Sequence, residues 1–171
     1  MKVVTTIIRI IDRINEVVTK SAQWLVILLV LTLVYEVIMR YIFRSPTLWS
    51  FDVSYMSASL FIMLGMGYTL QQKGHVNIDI IIDKFSRRTQ ALLNIIFMLL
   101  LFFPLWFSIM DVFIPHLIRS WAMGERASVG TWLPPIYPFK TWLLAGMFLM
   151  FLQGTSEFLK EILVLSGRRQ Q

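Results

Sequence analysis

Cysteine is absent from the 171 residues, which removes disulfides, thiolate metal sites and thiol nucleophiles. Charge is scarce as well. Asp, Glu, Lys and Arg make up 15% of the chain, against roughly 25% in an average soluble domain. There are two histidines, His75 and His116, and both lie outside the long apolar runs, so axial ligands for a haem inside a helix bundle are missing. His75 beside Asp79 is too small a ligand set for a metal. No Ser/His/Asp set, Gly-rich phosphate loop or zinc spacing occurs. No catalytic residue, metal or cofactor is therefore expected.

What the chain does contain is apolar surface. Hydrophobic residues make up 57%, more than a small soluble fold has an interior for. The surplus must face lipid or another protein. The pattern predicts an all-α membrane protein in one domain. Four spans are expected, at about 21–39, 51–71, 89–110 and 139–156, each close to the roughly 20 residues that cross the hydrocarbon. No small-x-small cleavage site follows the first run, so it is read as a retained span rather than a signal peptide.

Ahead of it, residues 5–20 place Ile7, Ile10, Ile11, Ile14, Val17 and Val18 on one helical face and Arg9, Asp12, Arg13, Glu16 and Lys20 on the other. That is an amphipathic helix, either lying in the membrane interface or extending the first span. Pro104 is expected to kink the third span. Asp111, Pro115 and His116 are expected to close it, with 114–133 as a loop. Pro134, Pro135 and Pro138 lead into the fourth span, where Pro suits a first turn.

The net charge of +6 has a membrane explanation, so nucleic acid is not an expected partner. Arg40, Arg44, Arg119, Arg126 and Lys140 lie on one side of the predicted spans. The other 11 of the 16 Lys and Arg lie on the second side. Cationic loops favour the cytoplasm, so both termini are expected inside and the 40–50 and 111–138 segments outside.

Charge within the spans is nearly missing. A proton or cation carrier working alone needs intramembrane acids or broken helices lining a midplane site. Glu36 is the deepest acid. It either forms a buried pair, with Arg40 at i+4 or with a partner chain, or snorkels to the headgroups beside Arg40. Gly65, Gly67 and Gly146 are the small residues expected to let helices approach closely. On the outer side, Trp, Pro and Arg are protein-contact anchors, although an interfacial belt explains Trp49, Trp132 and Trp142 equally well.

Three segments carry a resemblance. They are RYIFRSPTLWS at 40–50, MLGMGYTLQQKGHVNIDII at 63–81 and SVGTWLPPIYPFKTWLLAG at 128–146. In order and spacing they resemble the small, DctQ-type membrane subunit of TRAP (tripartite ATP-independent periplasmic) transporters, over roughly residues 20–155. One departure is that the family commonly has Glu just after the Trp, where the nearest acid here is Asp52.

The resemblance implies a bacterial inner-membrane protein with two protein partners besides phospholipid. A periplasmic binding protein captures an organic acid, and a large membrane subunit moves it inward on a sodium gradient. The small subunit packs on the large one and helps dock the binding protein. On that basis Arg40, Arg44, Trp49, Asp52, Arg126 and Lys140 are expected at the outer docking surface. His75 and Asp79 are expected to organise the cytoplasmic loop. The rival expectations are a small autonomous exporter relying on Glu36 and a membrane anchor for a redox enzyme.

Overall fold

The structure is a computed structural model that describes residues 2–72, 85–128 and 132–166. Six α-helices and one π-helical stretch account for nearly all of them. They are α1 Lys2–Ala22, α2 Trp24–Tyr41, α3 Ser50–Gln71, α4 Arg87–Phe97, the π-helix Met98–Phe102, α5 Phe103–Met123 and α6 Tyr137–Leu165. Among the described residues, four continuous helical rods are long and apolar enough to cross a membrane: Val3–Tyr41, Ser50–Gln71, Arg87–Met123 and Tyr137–Leu165.

The first rod is α1 and α2 joined at Gln23. Its dihedrals are helical (φ −59°, ψ −25°), and its N–H still reaches Thr19 O at 3.0 Å. Residues 5–20 thus continue the first span. They pack on α3 and α6, while α2 packs on α3. The faces of α1 differ from the sequence expectation. Ile8, Ile11, Asn15 and Ala22 are buried, whereas Ile7, Ile10, Ile14 and Val17 are exposed.

The third rod holds both prolines of the sequence reading, and Pro115 is a correction. Pro104 sits in the first turn of α5, directly after the π-helix. A π turn absorbs the extra residue where the helical ladder is interrupted. The helix then does not close at Asp111–His116. It runs through Pro115 to Met123. An internal Pro costs about 3 kcal/mol of helix stability. Packing past it offsets that cost: Leu117 and Ser120 are buried, and the Trp121 indole N–H donates to Thr141 Oγ1 at 3.0 Å.

Gly124 ends α5 in the left-handed region (φ 60°, ψ 42°). Glu125 N–H reaches Ser120 O at 3.0 Å and Gly124 N–H reaches Trp121 O at 3.3 Å. This paired arrangement is the Schellman stop.

α6 is the centre of the bundle, packing on α1, α3, α4 and α5. α3 and α6 run parallel, with Tyr55 against Phe139 (centroids 5.8 Å) and Met63 against Gly146. A Cβ at Gly146 would lie 3.0 Å from the Met63 backbone, so the contact depends on glycine. Trp106, Met147 and Met150 form the core, with Met63, Met66 and Phe102 packed around them.

Candidate docking surface

One end of the bundle carries the 42–49 and 124–136 connections, and the expected outer residues gather there. Glu36 organises the first connection. It is 8% exposed and accepts from Arg40 Nε (3.0 Å), Arg40 Nη2 (2.6 Å) and the Thr47 backbone N–H (3.0 Å). The Thr47 hydroxyl also donates to it. Of the two expectations for Glu36, the internal pair with Arg40 is the one present, and Thr47 is a partner the sequence reading missed. The carboxylate ties the chain after α2 back onto its last turn. Beside it, Tyr35 and Trp49 stack at 5.7 Å with 26° between their planes.

This fastening leaves Arg44 outward. It is exposed, with a left-handed backbone (φ 52°). Such a conformation is uncommon for an arginine, and it lets the chain reverse between α2 and α3. Asp52 is a correction. Expected on the surface, it is 3% exposed, and its Oδ2 has no hydrogen-bond partner. Phe51 and Tyr55 take the outward positions of this turn, and the carboxylate is turned inward where the helix N-terminus favours an anion.

Lys140 organises the second connection. Its ammonium lies 2.5 Å from Glu125 Oε2 and 3.0 Å from His116 Nε2. The Lys140 ammonium, hydrogen-bonded to Glu125, holds that carboxyl below the usual carboxylate range. Trp121 adds a ring contact with Tyr137 at 4.5 Å. A short antiparallel bridge joins Arg126 to Pro135, with Ala127 N–H to Pro134 O (2.9 Å) and Ile136 N–H to Glu125 O (3.0 Å). Arg126 and Trp132 remain exposed.

The remaining expected residues divide. A Cβ on Gly67 would collide with the Asn15 side chain, so Gly67 permits a close approach, whereas Gly65 faces open space with nothing within 4 Å. His75 and Asp79 lie outside the described residues.

The opposite end holds a polar cluster that the sequence reading missed. Asn15, Gln153 and Ser156 are fully buried there. Gln153 Nε2 donates to Asp12 Oδ1 (2.8 Å), and Ser156 Oγ donates to the same atom (3.0 Å). Lys160 Nζ lies 2.8 Å from Asp12 Oδ2 and 2.6 Å from Glu157 Oε1. Asn94 Nδ2 donates to Glu161 Oε1 at 3.1 Å. Asp12 thus belongs to the bundle rather than to a solvated face. The available signal was Asn15 in register with Ile8, Ile11 and Ala22, together with a glutamine inside the last apolar run. Gly154 was also missed; a Cβ there would enter the Phe102 ring.

Both ends consist of internal ion pairs and hydrogen bonds that fix helices to one another. Among the described residues, no group of three or more His, Cys, Asp or Glu is placed to hold a metal ion. No curated protein matches the sequence. Residues 29–163 match the family described as "Tripartite ATP-independent periplasmic transporters, DctQ component".

Proposed function

The chain belongs to the DctQ component family of tripartite ATP-independent periplasmic transporters, and from that premise we propose that it is the scaffolding and docking subunit of a sodium-coupled organic-acid carrier. It packs against a large membrane subunit that carries the solute. Its 42–49 and 124–136 connections face the periplasm and receive the substrate-binding protein, while both termini are cytoplasmic in the bacterial inner membrane.

The observation that carries this reading is the construction of the connection end. Glu36 and Lys140 each direct their charge to internal partners, which holds the described residues of both connections in place. Arg44, Arg126 and Trp132 stay exposed on them. A preformed surface of Arg and Trp suits a protein partner, because those residue types anchor interfaces and a backbone already held in place need not be ordered on binding. Orientation is supported by the placement of Lys and Arg along the chain. No role in solute binding is assigned to Glu36, whose oxygens are both occupied by its own chain.

Purification through a tag on this chain, in mild detergent, tests the proposal. The expected result is a larger hydrophobic polypeptide in 1:1 ratio, with a periplasmic protein retained on that pair and lost on Arg44→Glu plus Arg126→Glu. Isolation of this chain alone, folded and able to transport solute after reconstitution, overturns it.

A further inference from the structure

We infer that α1 is an anionic-lipid-binding helix whose stripe of Arg9, Arg13 and Lys20 holds the phosphates of acidic phospholipids. The inference concerns a segment ahead of the family match and does not depend on the docking role.

A helix turns about 100° per residue, and this divides α1 into three stripes. Ile8, Ile11, Asn15 and Ala22 form the stripe buried in the bundle. Ile7, Ile10, Ile14 and Val17 form an exposed apolar stripe on one side of it. Arg9, Arg13 and Lys20 form an exposed cationic stripe on the other. Glu16 lies within that stripe and pairs with both Arg13 (2.9 Å) and Lys20 (2.6 Å). Three cations against one carboxylate leave the stripe positive. Both pairs are exposed on the cationic side, and such pairs bind weakly enough to exchange partners.

The buried stripe decides what the other two can do. Asn15 Nδ2 donates to Gln153 Oε1 at 2.9 Å, and Asp12 is held by Lys160, Gln153 and Ser156. These bonds fix the rotation of α1 about its own axis, so the apolar and cationic stripes cannot trade places. Because α1 continues the first span, the two stripes run side by side along the rod, and long cationic side chains at such a helix end reach headgroup phosphates while the apolar stripe beside them meets the lipid chains. Trp24, exposed one turn after Lys20, supplies an aromatic at the same boundary. Positive charge beside apolar surface selects acidic over zwitterionic headgroups.

The test uses the full-length chain, with whatever subunit co-purifies, in nanodiscs of equal phosphatidylglycerol and phosphatidylethanolamine. Bound lipids are then counted by native mass spectrometry after extraction into mild detergent. The expected result is several-fold enrichment of phosphatidylglycerol, abolished in Arg9→Gln/Arg13→Gln/Lys20→Gln and kept in Arg44→Gln/Arg126→Gln at the other end. Arg9→Lys/Arg13→Lys, which keeps the charge, retains it. Should the triple variant fail to fold, the wild-type protein still decides the matter, because enrichment should fall when salt is raised to about 1 M, where screening reaches only about 3 Å. Equal retention of both lipids, enrichment unchanged in a folded triple variant, or a photo-crosslinker at Arg13 that captures polypeptide rather than lipid, overturns the inference.

Discussion

The side-chain amide of Asn15 occupies the space that a Cβ on Gly67 would need. The helix joined to the first span therefore touches α3 through the absence of a side chain. Asn15 is fully buried; its Nδ2 donates to Ile11 O and Gln153 Oε1, while its Oδ1 has no hydrogen-bond partner. Gly67 gives the amide room, and Gln153 fixes its direction.

Gly67→Ala is accordingly expected to destabilise the bundle. The added methyl must displace Asn15 and so weaken its bond to Gln153. Overpacking of this kind costs about 1–3 kcal/mol. Gly65→Ala, in open space, should leave stability unchanged or slightly raised, since Ala suits a helix better than Gly. Thermal unfolding in one detergent compares the two, and equal midpoints would count against the packing described.

Asp12→Ala removes one acceptor from three donors at once: Gln153 Nε2, Ser156 Oγ and Lys160 Nζ. Lys160 and Gln153 both keep Glu157, but the hydroxyl of fully buried Ser156 is left without its acceptor. An unsatisfied buried donor costs about 1–3 kcal/mol. The expected outcome is a clear fall in unfolding midpoint and faster hydrogen exchange across α1 than across α2. Uniform exchange would show that the cluster does not secure α1.

The Glu125–Lys140 pair gives a pH dependence of known sign. The carboxyl is held below its usual range in the folded chain, so the pair stabilises the fold above the ordinary carboxylate value. Its contribution is lost as pH falls through the lowered folded value. The wild type should thus exceed Glu125→Gln in unfolding midpoint at neutral pH, and the gap should close only below about pH 4.3, the ordinary Glu value. A gap that stays constant down to pH 3 would contradict the pairing.

The four long rods were legible in the sequence because a run of apolar residues has few other fates. What local pattern did not carry was tertiary. Pro115 reads as a helix end until Leu117, Ser120 and Trp121 are seen to pack beyond it. Gly65 and Gly67 are alike in sequence, yet only one faces a neighbouring helix. Asp12 reads as polar surface, since the three donors that turn it inward come from residues 153–160. At the end with the 42–49 connection, cations and aromatics could be picked out by type. Their partners Thr47, Glu125 and His116 could not, because a salt bridge between separate segments leaves no periodic trace.

Glu36 supports the last prediction. Its carboxylate accepts from Arg40 on the same helix and from Thr47 eleven residues on, by both backbone and hydroxyl. Glu36→Ala removes those anchors together, whereas Arg40→Ala leaves Thr47 in place. The 42–49 connection should therefore loosen in the first variant and hold in the second. Trypsin reads the difference directly, because Arg44 lies exposed within that connection and cleavage tracks local opening rather than global unfolding. Cleavage after Arg44 should be roughly 10-fold faster in Glu36→Ala, which corresponds to about 1.4 kcal/mol of local stability. It should be nearly unchanged in Arg40→Ala. If the two variants are cut at the same rate, Thr47 is not what fastens the connection, and the fixed surface at that end of the bundle loses its physical basis.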